Sequence, residues 1–433
     1  MTCPDCARLL EENRRLSAEN ADLRRRLAAY ENPHTPPSRR IYPTRVQTPG
    51  ARRYPGRPRG HPGRTRPRPR PDVVKAPEWK DRCEGCGAPL GEPSYVGHRV
   101  VEEIGNPHPR QVIDFLEYGW ECTECGSHTT ARHPDCPPSG WLGKNVLIQA
   151  TLMKFMERLP HWKVCEALER TYGLQVTPAT VLDITRRVGD WLRPEHDRIL
   201  GRIRAADVVY IDETGAKVDG MRHWIWAFTT RSETLAAIRS SRGKRVLREV
   251  LGENFEGVVV CDGWKSYTGF TGRIQRCWAH LLREARCLAE QVAEAKPLSE
   301  ALHTLYRRVN MPPMDRPPDE AERLAEEAKA EMEGWARRPY EAAEVRRFAA
   351  KVLNGIDHWF TFLTVPGVEP TNNRAERALR EHVVQRKIMG TFRNGKGTGI
   401  YETIMTVLAS WKQQGRDLSK TLGETLSQEW TKS

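Results

Sequence analysis

The sequence predicts a multidomain α/β protein, and three observations carry that class. "DVVYIDETGAKV", "HWIWAFTT" and "TLAAIRSS" read as three successive strands, followed by a helix, "GKRVLREVLGE", and a buried strand, "GVVVCDGW". Only 38% of the 433 residues are hydrophobic, too few for one compact unit, so part of the chain lies outside any core. The net charge of +13 is also localised: between Asn32 and Pro71 there is no acidic residue, while eleven arginines fall in the same stretch.

Residues 1–32 come first. Leu9, Asn13, Leu16, Asn20, Leu23, Leu27 and Tyr30 alternate spacings of four and three, a heptad seam with leucine at d and asparagine at two a positions. Asparagine at a costs stability but fixes register, so a parallel coiled coil and a homodimer or higher oligomer are expected, against a solvated single helix. Cys3 and Cys6 form a lone CxxC pair, which by itself cannot close a tetrahedral site. Residues 33–72, rich in proline, arginine and glycine, are expected to be a disordered basic arm. Within them "YPGRPRGHPG" resembles an AT-hook, with Arg57 and Arg59 suited to the negative potential of a narrow minor groove; a solvated basic linker is the alternative.

Residues 73–138 carry "CEGC" and "CTEC", and between them "GHRVVEEI" and "RQVIDFLEYGWEC" read as strands. Cys83, Cys86, Cys122 and Cys125 thus have the spacing of a zinc ribbon, with Zn2+ in a closed structural site; four unrelated thiols are the alternative. No apolar run reaches the roughly 18 residues that a bilayer requires, and the first residues lack a signal-peptide core. A cytoplasmic, nucleoid-associated prokaryotic protein with no membrane partner is expected. Residues 139–204 are helical in pattern. A turn at Gly173 and a helix capped by Thr177 or Thr180 resemble a helix-turn-helix, a DNA-binding arrangement.

Residues 205–412 hold the strands quoted above. Three antiparallel strands, a helix and a further strand follow the order of the RNase H-like fold, which makes the first and fourth strands neighbours. Asp212 is expected at the exposed end of the first and Asp262 at the end of the fourth, where two carboxylates can hold a pair of Mg2+ or Mn2+ ions if a third joins them. In "EPTNNRAERALREHVVQRK" Glu376 supplies it. A helix opening near Thr371 and Asn372 puts Glu376 on one face with Asn373, Arg377 and Arg380, and turns Ala375, Ala378 and Leu379 inward. Arginines beside such a carboxylate suit DNA phosphates; a surface salt-bridge face is the alternative. A helical insertion is expected over 281–366 and a C-terminal tail over 413–433.

"YIDET", "VVCDGWKSY", "RCWAHLLRE" and "TNNRAERALREHVVQRKIMGTFRNGKG", in this order and spacing, resemble the transposases of the insertion sequence 66 family, which are DDE enzymes. The resemblance implies a DNA transposase that binds its element's ends and catalyses metal-dependent cleavage and strand transfer, with Asp212, Asp262 and Glu376 as catalytic triad. Double-stranded DNA and accessory transposition proteins would be its partners. Lys265, Asn373, Arg377, Arg380, Arg386 and Lys387 are the expected DNA contacts of this half, with Tyr267 beside Lys265. Glu213 is expected to face away from Asp212, Cys277 and Trp264 to pack, and His280 to touch DNA or to be structural. A domesticated DNA-binding protein and an RNase H-like nuclease are the rival functions.

Overall fold

The computed structural model describes residues 4–28, 142–263, 273–311 and 316–431, with 112–113, 115, 118–121, 128–131, 135–140, 267 and 270. The chain divides into two units, 40–109 and the remainder, and every described residue belongs to the second. Arg57, Arg59, Cys83, Cys86, Cys122, Cys125, Trp264 and Lys265 lie outside the described residues. No helix among the described residues is long and apolar enough to cross a membrane.

Helix α1, Pro4–Ala28, carries the heptad seam, and Leu16 and Leu23 stand 46% and 45% exposed on it. Asn20 turns its amide onto its own helix, where Nδ2 donates to Leu16 O at 3.1 Å. Strands β1, Tyr118–Glu121, and β2, His128–Ala131, pair antiparallel with Tyr118 opposite Ala131, and so bracket the "CTEC" segment.

Three helices follow: α2, Lys144–Phe155, α3, His161–Tyr172, and α4, Pro178–Arg204. Gly173 ends α3 at φ 66°, a left-handed conformation that glycine adopts without a Cβ penalty, and Thr177 caps α4 by accepting from Thr180 N at 3.2 Å. Their apolar faces do not form a separate core. Leu168, Val181, Ile184, Val188 and Leu192 are buried in the same cluster as the central sheet.

That sheet contains β3, Val208–Val218, β4, Met221–Thr229, β5, Thr234–Arg239, β6, Val258–Cys261, and β7, Ile274–Arg276, in the order β5-β4-β3-β6-β7. β3–β4 and β4–β5 are antiparallel, while β3–β6 and β6–β7 are parallel. Helix α5, Lys244–Leu251, connects β5 to β6. The first and fourth strands are therefore neighbours, as the order of elements predicts. Strand periodicity places both faces in cores: Val209, Ile211, Val259 and Cys261 face the α2–α5 side, while Tyr210, Val258 and Val260 face the other.

The second face is covered by the helical insertion, α6, Trp278–Gln291, α7, Lys296–Val309, α8, Pro318–Ala336, α9, Ala343–Leu353, and the short α10, Thr361–Thr364. Trp278 anchors it, with its ring centroid 5.2 Å from that of Tyr306 and 5.6 Å from that of Phe360, and with Nε1 donating to Trp359 O at 2.6 Å. Helices α11, Asn373–Met389, α12, Gly395–Gln413, and α13, Leu418–Trp430, complete the unit. The expected C-terminal tail thus includes a helix whose Leu422 and Leu426 are buried in the first core.

Candidate active site between two parallel strands and a helix

The parallel register of β3 and β6 runs Val208 with Val258, Val209 with Val259 and Tyr210 with Val260. Continued by two residues, it sets Asp212 beside Asp262. Asp212 is not at the exposed end of its strand, as the sequence suggested: β3 runs on to Val218 in an antiparallel ladder with β4, and Asp212 is half-buried opposite Ala227. What ends at Tyr210 is the parallel ladder to β6. Past that point the sheet opens on one side of β3, and this gap holds the carboxylates. Gly263, at φ 89°, turns the chain sharply after Asp262, in a conformation that a β-carbon would strain.

Helix α11 delivers the third acid. Its start is fixed by Asn372, which is fully buried and whose Nδ2 donates to Ile211 O at 2.8 Å, one residue before Asp212. The Asn372 amide donates to Cys277 Sγ at 3.1 Å, and Trp278 N to Pro370 O at 3.0 Å, so the openings of α6 and α11 are held together. Glu376 lies in the first turn of α11, where the helix dipole favours a carboxylate. Ala375 and Leu379 are buried beneath it, which matches the expected inward face.

These acids feel one another. Burial, then the charges of Glu213, Asp262 and Glu376, hold the Asp212 carboxyl well above its usual range, although the Glu213 amide donates to Oδ1 at 2.9 Å and opposes the shift. Glu376 is raised by burial and by Asp262 and pulled back by the Arg283 guanidinium. Its Oε1 is buried and has no hydrogen-bond partner among the described residues. Carboxylates held half-buried on neighbouring elements, one with a buried oxygen that lacks a hydrogen-bond partner among the described residues, offer the oxygen donors that a hard divalent cation takes. The residues therefore fit such an ion.

Glu213 spends its hydrogen bonds inside the core, although its charge still reaches Asp212. Its side chain has no exposed surface; Arg242 Nε donates to Oε1 at 2.5 Å and Tyr267 Oη to Oε2 at 2.6 Å. Tyr267 is thus 1% exposed and holds Glu213, a correction to its expected place at DNA, because its hydroxyl is consumed inside the core. Arg386, half-buried, also has a structural role. Its guanidinium donates to Thr214 Oγ1 at 2.9 Å and to the Gly215 carbonyl, tying α11 to β3. Asn373, Arg377, Arg380 and Lys387 are exposed.

Cys277 is buried, as expected for a packing residue, and burial pushes its thiol up to about 11. Yet it does more than fill space: Cys277, His280 and Glu376 bring their ligand atoms within 4.8 Å of one another, and His280 Nδ1 lies 3.4 Å from Glu376 Oε1. Arg276 ends β7 as a buried arginine, its pKa lowered by burial against the opposing charges of Cys261 and Asp262. A side chain at Gly355 would collide with its guanidinium. Arg242 and Arg283 were not singled out from the sequence, and Asn372 was read only as the opening of its helix. Only Arg283 left a signal, lying three residues after His280 on one helical face.

Asp212 on β3, Asp262 after the neighbouring parallel strand β6 and Glu376 in the first turn of α11 place three acids along one part of a mixed sheet, next to the exposed cationic residues of α11. The chain belongs to the IS66 family of transposases: the family model described as "Transposase IS66 family" matches residues 139–399, which include Asp212, Asp262, Glu376, the second core and most of the first. The chain is also 26% identical over 329 residues to the uncharacterized protein y4qI of Sinorhizobium fredii. That match covers 67% of this chain and 60% of the relative, so the chain spans less than two thirds of that protein's length.

Proposed function

We propose that the protein is a DNA transposase with an RNase H-like core that cuts at the ends of its element and joins the freed 3′ hydroxyls to target DNA. The observation that supports this most directly is that β3 and β6 run as parallel neighbours toward Asp212 and Asp262 while Asn372 ties the opening of the Glu376 helix to Ile211, one residue before Asp212. These three carboxylates would hold magnesium or manganese, whose chemistry is to stabilise charge developing on phosphate oxygens and to make a hydroxyl a better nucleophile.

The protein's own groups do the rest. Asn372 and the Cys277 sulfur fix where Glu376 stands relative to Asp212, and a shared site tolerates little misplacement. Arg377 and Arg380, exposed on the Glu376 face of α11, hold DNA phosphates beside the acids, with Asn373 and Lys387 along the same helix. Glu213, held by Arg242 and Tyr267, is a structural acid. The exposed leucine seam of α1 pairs with a second copy in a parallel coiled coil. The 33–72 arm, with Arg57 and Arg59, adds affinity for the backbone, and Cys83, Cys86, Cys122 and Cys125 hold a structural zinc.

Glu376→Gln tests the assignment. Size and helix propensity are kept while the charge is lost, so cleavage and the joining of pre-cleaved ends fall by orders of magnitude, about 10²-fold or more, while end binding persists. Substantial joining by the Glu376→Gln protein returns α11 to a surface salt-bridge role.

A further inference from the structure

We propose that Cys277, His280 and Glu376 form a site for a thiophilic divalent cation of the zinc class, and that a cation seated there withdraws Glu376 from Asp212 and Asp262. The second half of the proposal rests on the catalytic reading of Glu376; the first does not.

The geometry comes from two helix openings. Cys277 caps α6 and His280 lies three residues on, so sulfur and imidazole project from one turn, while Glu376 enters from the first turn of α11. All three ligand atoms lie within 4.8 Å of one another. His280 Nδ1 and Glu376 Oε1 are 3.4 Å apart, and two such ligands on a tetrahedral zinc, each about 2.1 Å from the metal, stand about 3.4 Å apart. That separation is long for a charge-assisted hydrogen bond. The two helix openings are already fixed to each other through Asn372 and Trp278, so little reorganisation is needed.

The donor chemistry separates this site from the carboxylate cluster. A thiolate and an imidazole select soft or borderline cations, whereas magnesium prefers oxygen. Charge also balances: one thiolate, one carboxylate and a neutral imidazole cancel a dication, so no net charge is buried. On binding, the Cys277 S–H bond breaks, its proton leaves to solvent and a sulfur–metal bond forms. The amide of Asn372 already points at the sulfur and stabilises its anionic form. Cys277 is closed to solvent, but His280 and Glu376 keep 13% and 33% of their side chains exposed, which leaves a path for the ion and a fourth position for water.

The test uses the full chain as wild type, Cys277→Ser and His280→Ala, stripped of metal and titrated with cadmium. The reading is ultraviolet sulfur-to-cadmium absorption, with zinc uptake by competition against a chromophoric chelator. The other cysteines are common to all three proteins and cancel in the comparison. Wild type takes up one more equivalent than either variant. Cleavage in magnesium is then compared with and without zinc within each protein: at about ten times its Kd, zinc leaves about one tenth of the molecules free, so wild-type activity falls about tenfold. The ratio stays near one in the variants. Equal cadmium and zinc uptake by all three proteins overturns the site. Extra uptake without inhibition overturns the withdrawal of Glu376, and the Glu376→Gln protein then shows which premise failed: if active, the catalytic reading; if inactive, the competition alone.

Discussion

Asp212 and Glu213 are adjacent acids, and their replacement by amides is expected to have opposite effects. Glu213 has no exposed side-chain surface and accepts from Arg242 at 2.5 Å and Tyr267 at 2.6 Å. A hydrogen bond to a charged group contributes about 1.5–3 kcal/mol, and two are perturbed in Glu213→Gln, since the amide nitrogen must face one of two donors. Against this, burial and the Asp262 charge raise the Glu213 carboxyl, so losing its charge returns part of the cost. The net expectation is a loss of about 2 kcal/mol, or about 4 °C in Tm. In Asp212→Asn the cost of burying the charge and the repulsion from Glu213, Asp262 and Glu376 disappear, while the oxygen that accepts from the Glu213 amide remains. The metal-free Asp212→Asn protein is therefore at least as stable as wild type, by up to about 1 kcal/mol, yet inactive in cleavage. Thermal melts in chelator, paired with a cleavage assay in magnesium, read both effects. A Glu213→Gln protein as stable as wild type, or an Asp212→Asn protein as destabilised as Glu213→Gln, refutes the division of roles.

The same repulsion sets a pH dependence. The Asp212 carboxyl is raised in the fold, so its cost is absent below the unfolded value of about 3.9 and fully present above the folded one; the stability gap between Asp212→Asn and wild type, measured by denaturant unfolding without metal, is expected to be nil near pH 4 and to widen as pH rises. Arg386→Ala removes two bonds to β3 and is expected to lower stability by about 1–3 kcal/mol with little change in the salt dependence of DNA binding. Arg377→Ala with Arg380→Ala is expected to do the reverse, reducing the slope of log affinity against log salt by about 0.9 per lost phosphate contact. Deleting residues 33–72 is expected to flatten that slope by several units on the same scale, with binding measured from low to moderate salt.

Much of the sheet was legible in sequence because strand signals are local. Alternating burial and β-branched runs marked β3 to β6, and continuous apolar stretches marked a sheet covered on both faces. The neighbouring of β3 and β6 followed from element order, since a helix joins parallel strands on one side. The helical character of the insertion and the inward face of α11 were legible for the same local reason. What periodicity could not supply was the partner of each polar group. That Tyr267 donates to Glu213 and not to DNA depends on contact across 54 positions of chain, and that Arg386 ties down β3 depends on contact across about 170.

By itself the sequence determined the types of the main elements, the neighbouring of the first and fourth strands, and three acids that stand out among cationic neighbours, but not β7. Only the tertiary structure decided that Asp212 lies within a long strand where one ladder ends, that Asn372 fixes the third acid against Ile211, and that Cys277 and His280 meet Glu376. The physical reason is that secondary structure is written in neighbours a few residues apart, whereas the charge state and partners of a buried side chain are set by whatever the fold packs against it.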